Sequence, residues 1–178
     1  MIMQSLRYYR ELIQKIDAFT ESINSTYGNQ LHCREGCSSC CILESIMPVE
    51  LVPIVQWYVT QPESIKTIIK QENSHSCIFL QNNSCIIYPV RPVICRTHGY
   101  PVLIRNSVDI CPLNNGINFE PQYILNLENC NTMLAAINIL FIKEVQIPAL
   151  QTDRINLRTF FQSPESDILS IVHILKGH

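Results

Sequence analysis

Glycine is scarce, with 5 in 178 residues, and none of them builds a Gly-x-Gly-x-x-Gly or P-loop run. Little is therefore available for the loops that cradle nucleotide phosphates. Positive charge is also thin: 13 Lys and Arg stand against 15 Asp and Glu, a net charge of -2 with no basic block. That balance argues against electrostatically driven nucleic-acid binding. The longest apolar stretch, Met133 to Ile142, is interrupted by Asn138 and is about half of the roughly 20 residues that a bilayer span requires. Arg7, Arg10, Glu11 and a tyrosine pair occupy the beginning of the chain, where a secretory signal would be apolar. The expectation is a cytoplasmic protein with neither nucleic acid nor membrane as partner. No linker, internal repeat or low-complexity tract divides the chain, so residues 1–178 read as one domain.

Hydrophobic residues make up 47% and charged residues 16%, enough apolar material for a packed core. Leu6, Tyr9, Leu12, Ile13, Ile16 and Phe19 recur at steps of three and four, which predicts an N-terminal helix over about 3–26 within a segment 1–30, with Gly28 as its stop. Pro48 opens a second helix with Glu50 in its first turn and Leu51, Ile54, Val55 and Tyr58 inward, ending near Thr60. A third begins at Pro62, turns Ile65, Ile68 and Ile69 inward, and stops at Asn73. Two β-rich segments around Gln81-Asn82-Asn83 predict a hairpin that brings Cys77 and Cys85 together. Pro92 starts a helical turn through Cys95 and Arg96, and a second small hairpin turns at Asn106-Ser107. A C-terminal helical extension, 121–178, consists of a long helix from Pro121 to near Pro148 and a last helix capped by Ser163-Pro164-Glu165 that carries Ile168, Ile171 and Ile174. The fold class expected is mainly α with short β-hairpins, the helices packed around an irregular cysteine-rich centre.

Nine cysteines are many for a chain of this size, and in a reducing compartment they point to metal or redox chemistry rather than disulfides. Eight of them, Cys33, Cys37, Cys40, Cys41, Cys77, Cys85, Cys95 and Cys111, fall between residues 33 and 111. Cys37-x2-Cys40 is a knuckle of the kind that aims two thiolates at one ion, and Gly36 permits the unusual dihedral of such a fold-back. Adjacent cysteines point apart, so Cys40 and Cys41 are better used by two centres or by one polynuclear cluster. Two four-thiolate zinc sites, or an iron-sulfur cluster with further thiolates, both accommodate the set. Arg34, Arg91 and Arg96 are candidate donors behind the sulfurs. His32, His75 and His98 flank cysteines, His98 being the best placed to assist. The competing reading, inert buried thiols, is preferred for Cys130, which shares a helical stripe with Leu127, Leu134 and Ile137. Metal binding by the cluster also carries the expectation that 30–112 is disordered without metal.

The cysteine run, with Cys77-Ile78-Phe79-Leu80, Cys85-Ile86-Ile87-Tyr88, Arg91-Pro92-Val93-Ile94-Cys95-Arg96, Gly99-Tyr100-Pro101 and Cys111-Pro112, resembles the CxxCxxCC (YkgJ-type) cysteine-cluster family over about residues 31–113. The resemblance implies a zinc- or iron-chelating domain in which the eight cysteines take the family's cysteine positions and Arg91, Pro92 and Arg96 match its Arg-Pro and Cys-Arg elements. The first spacing here is Cys33-x3-Cys37, one residue longer than the family name implies. Larger relatives resemble flagellin lysine N-methylases that use an iron-sulfur cluster, such as a 4Fe-4S centre, with S-adenosylmethionine. That implies an alternative in which this chain is an iron-sulfur methyltransferase or redox enzyme. Cys33-x3-Cys37-x2-Cys40 also matches the radical S-adenosylmethionine spacing, but Ser39 stands where those enzymes usually have an aromatic residue. No Cys-His-Asn or Ser-His-Asp signature marks a hydrolase, and Glu50, Glu63 and Glu165 are explained as first-turn helix residues. The function expected is chelation of zinc or iron, with no specific reaction assigned.

Overall fold

A computed structural model describes residues 3–33, 36–72, 76–164, 166, 168–169 and 171–172. The apolar periodicity at the start of the chain produces α1 (Gln4–Tyr27), which buries Tyr9, Leu12, Ile16 and Ile23 and ends where the Gly28 N–H donates to Asn24 O at 2.8 Å. After an irregular cysteine-bearing stretch come β1 (Ser45–Ile46) and α2 (Pro48–Val59). Glu50 closes a capping box on α2, its carboxylate accepting from the Met47 N–H at 3.0 Å. Then follow α3 (Glu63–Gln71), β2 (Leu80–Gln81), β3 (Ser84–Cys85), α4 (Val93–Thr97), β4 (Val102–Ile104), β5 (Ser107–Asp109), β6 (Leu125–Asn126), α5 (Leu127–Val145), β7 (Ile155–Asn156) and α6 (Leu157–Gln162). The fold is mainly α, with strands confined to small sheets. Among the described residues no helix is long and apolar enough to cross a membrane.

α1 packs on α5 and α4, and α2 packs on α5. The α2–α5 contact includes a buried polar pair: the Asn138 Oδ1 accepts from the Val49 N–H at 3.0 Å, satisfying one of the donors that a helix start leaves free. Cys130 is 8% exposed and joins Leu127, Leu134 and Ile137 in the core, as its stripe predicts. The C-terminal extension is tied to the cysteine-bearing half. β7 pairs antiparallel with β1, and the Phe161 ring meets Tyr58 at 5.0 Å and Phe79 at 5.2 Å.

Several boundaries differ from the sequence reading. The long helix begins at Leu127 rather than Pro121, because Leu125 and Asn126 are drawn into a parallel pairing with Val102 and Leu103. The Leu125 N–H donates to Pro101 O, and Asn126 caps α5 by accepting from the Asn129 N–H at 2.9 Å. The second hairpin turns at Arg105-Asn106, one residue earlier than Asn106-Ser107. Both turn residues are left-handed, with φ of 50° and 60°, the geometry that suits a two-residue connection. The first hairpin is short: its strands are two residues each, and Asn82 and Asn83 supply the left-handed pair. Ile68 is 40% exposed, because α3 buries only Ile69 fully. Neither α6 nor β7 was expected. Asn73, Glu165 and Ile174 lie outside the described residues; the described positions 166, 168–169 and 171–172 are helical, with Ile168 and Ile171 buried.

Phe161→Ala should lower unfolding stability by about 3–5 kcal/mol, the usual cost of truncating a fully buried ring. Denaturant melts of the full chain check this, and a loss below 1 kcal/mol, by the same scale, would mean the extension is not packed as described.

Candidate metal centre

Four short segments deliver the clustered cysteines. The first reverses at Gly36, whose φ of 92° is the left-handed conformation the knuckle requires. It then tightens through Cys41 N–H to Ser38 O at 3.0 Å and Ile42 N–H to Cys40 O at 2.9 Å. From here backbone and side-chain bonds carry the chain to the other cysteine-bearing segments.

Cys41 is carried to the hairpin. Its carbonyl accepts from the Cys77 N–H at 2.8 Å, and the Cys77 carbonyl accepts from Leu80, which is paired with Cys85 across β2 and β3. Cys95 rides on α4, whose first N–H, that of Val93, donates to the buried Glu50 carboxylate at 3.0 Å. Cys33 and Cys111 are brought together by Asn114, a side chain 1% exposed. Its Oδ1 accepts from the His32 N–H at 2.8 Å, its Nδ2 donates to Gly99 O at 2.8 Å, and its own N–H donates to Cys111 O at 2.8 Å. Gly99 passes directly over Cys33: with φ of 96°, a Cβ there would stand 2.0 Å from the Cys33 sulfur.

Electrostatics connect the same thiols. Burial, then the neighbouring Cys111, Cys37 and Cys40 thiolates, push Cys33 up to about 12, and Cys111 also makes a side-chain contact with it. Burial pushes Cys77 up to about 11, opposed by the Phe79 N–H and reinforced by Cys85 and Cys41. Cys95 is raised furthest, by burial and then by Cys77, Cys85 and Cys41. Cys41 is raised by burial and by Cys85 and Cys37, and Cys40 by burial and by Cys41 and Cys37. The influence of one thiol on the next thus runs from Cys33, Cys111 and Cys37 through Cys40 and Cys41 to Cys77, Cys85 and Cys95. All nine cysteines are free thiols. Among the described residues no three His, Cys, Asp or Glu side chains already stand at ion-holding geometry, so the groups are gathered but not closed on a point. The donor chemistry nonetheless fits a thiophilic ion: eight sulfurs come from four segments, and in Cys33, Cys40, Cys41, Cys77 and Cys95 burial and then neighbouring thiols oppose ionisation.

The basic residues divide into two roles. Arg91 lies 3.7 Å over the Tyr88 ring and favours ionised Cys85. Arg96 is a structural clamp: it donates to both Asp17 oxygens at 2.7 Å, to Arg91 O at 2.8 Å and to Pro89 O at 2.7 Å, fixing α4 against α1. His98 caps the end of α4 with an exposed ring, and Arg34 and His75 lie outside the described residues. Sequence reasoning missed Asn114, the clamping role of Glu50, and Arg158. From α6, Arg158 bonds to Ser76 O at 3.1 Å and to Glu72 O and favours ionised Cys77. Only Asn114 left a signal, by following Cys111-Pro112 closely; the others act from distant helices.

Asn114→Ala strands the His32 N–H and the Gly99 carbonyl, and should cost about 1–3 kcal/mol in metal-free unfolding; an unchanged denaturation midpoint would contradict the clamp. The raised thiols also set a pH dependence. Unfolded chain sheds these protons near the ordinary value of 9.0, whereas folded Cys77 and Cys33 keep theirs to about 11 and about 12. Their stability contribution is therefore whole below about pH 9 and lost as pH rises toward about 12. Metal-free, reduced protein should show a lower midpoint at about pH 10 than at about pH 8, and equal midpoints would refute the crowding.

Residues 32–115 match the model of the CxxCxxCC family, described as "Putative zinc- or iron-chelating domain". No curated protein and no solved structure matches the chain. The matched segment contains all eight clustered cysteines as well as Gly99 and Asn114.

Proposed function

We propose that the protein chelates zinc or iron through two adjacent four-sulfur centres, one formed by Cys33, Cys37, Cys40 and Cys111 and the other by Cys41, Cys77, Cys85 and Cys95. What supports this reading is the gathering of eight cysteines from four segments, with Asn114 clamping the segments of Cys33 and Cys111 and the Cys77 N–H bonded to Cys41 O. Four thiolates make the donor set of a tetrahedral zinc site and of an iron-sulfur cluster alike. Arg91 and Arg158, which favour the ionised forms of Cys85 and Cys77, offset part of the negative charge that such a centre carries. Arg91 and the exposed ring of His98 are the side chains we assign to supporting roles around the sulfurs, with Arg96 positioning α4. A reducing, cytoplasmic setting keeps the thiols available. The helices on either side act with the centre as one domain.

Metal analysis of anaerobically purified protein tests this directly. The expected result is two zinc ions per chain, or iron with matching sulfide, and Cys95→Ser should leave the Cys33 group loaded while emptying its own. Metal-free native protein, or a single ion lost equally on changing Cys33 or Cys95, would overturn the two-centre assignment.

A further inference from the structure

Cys33 and Cys111 stand at opposite ends of the cysteine-bearing part of the chain, yet the fold holds their two segments side by side. Asn114 is the link. Its Oδ1 accepts from the N–H of His32, the residue before Cys33, at 2.8 Å, and its own N–H donates to Cys111 O at 2.8 Å. Its Nδ2 donates to Gly99 O, and Gly99 passes so close to the Cys33 sulfur that a Cβ there would stand 2.0 Å from it. The Cys33 sulfur is thus confined by backbone on one side and makes a side-chain contact with the Cys111 thiol. Both thiols are half-buried rather than sealed. Cys33 forms part of the wall of a cleft at the end of α1, and Cys111 is followed by Pro112 and Leu113, both exposed. Cys40 and Cys41 also touch through their side chains, but consecutive Cα atoms across a trans peptide lie about 3.8 Å apart, short of the roughly 4.4 Å from which disulfides span. The described residues include no cis peptide bond.

We propose that Cys33 and Cys111 are a redox modification site, a pair that closes reversibly into a disulfide by exchange with a small-molecule disulfide. In the first step the Cys111 sulfur attacks the small disulfide, forming a mixed disulfide and releasing one reduced thiol. The Cys33 sulfur then attacks the Cys111 sulfur and expels the second. The protein gives up two electrons and two protons, and the small disulfide takes up both pairs to become two thiols. The product joins residue 33 to residue 111 and leaves the other cysteines of the cluster reduced. This pairing belongs to the metal-free chain and does not rest on the chelation reading. Because burial and neighbouring thiols keep Cys33 protonated, the exchange is slow and is read at equilibrium rather than as a rate.

The test equilibrates the metal-free full chain, reduced and anaerobic with a chelator present, against mixtures of reduced and oxidised glutathione. Free thiols are then alkylated and the peptides mapped by mass spectrometry. The expected result is one disulfide per chain, joining the peptides of Cys33 and Cys111. At fixed reduced glutathione it should be half-formed at a level of oxidised glutathione at least about tenfold lower than in denaturant, where nothing holds the two thiols together. Cys111→Ser should abolish the link and leave Cys33 as a free thiol or as a mixed disulfide with glutathione. The mapping is made on the unsubstituted chain, so a variant that misfolds does not alter its result. A dominant disulfide between Cys37 and Cys40 or any other pair, equal formation in denaturant, or a chain that stays fully reduced where the denatured chain is oxidised would each overturn the proposal.

Discussion

Burial of ionisable thiols beside one another is the constraint on which the site turns. Each of Cys33, Cys40, Cys41, Cys77 and Cys95 resists ionisation because of burial and because other cysteines stand beside it. A core of ordinary inert thiols has no reason to assemble eight of them from four loops, since the sulfurs gain little from each other's company. A bound cation reverses the sign of every one of these interactions, turning neighbours that oppose ionisation into co-ligands. Without a metal the thiols therefore keep their protons, and with one they can ionise as ligands.

What holds the cysteine-bearing segments together is a frame of backbone bonds and buried polar clamps. Asn114 binds three segments at once around Cys33 and Cys111. Glu50 accepts from the starts of both α2 and α4, so the helix bearing Cys95 is referenced to the main helical core. Arg96 and Asp17 attach the same short helix to α1. These groups lie outside the cysteine set, yet they decide which sulfurs face each other. Cys40 and Cys41 are neighbours within one tight turn, and the Cys41 carbonyl joins that turn to the hairpin segment at Cys77.

Much of this was legible in the sequence. The helical stripes beginning at Leu6 and Leu51, the two left-handed turns rich in asparagine, Gly36 at the knuckle and the core role of Cys130 all rest on local periodicity or local dihedral demand. The misplacements have a common physical origin in long-range pairing. The start of α5 moved because Leu125 and Asn126 are claimed by β4, and the β1–β7 pairing joins residues more than a hundred positions apart. The cysteine cluster was visible as composition and spacing, but the contacts between its segments were not, because the bond from Cys77 to Cys41 has no local signature. Arg158 was invisible for the same reason: its relation to Cys77 is created only when α6 docks beside α3.

The most direct measurement of the central claim is X-ray absorption at the metal edge of the loaded protein. The account predicts a first shell of sulfur alone, four per metal, at about 2.3 Å if the ion is zinc. A shell containing nitrogen or oxygen from histidine, carboxylate or water, in place of any of those sulfurs, would contradict it.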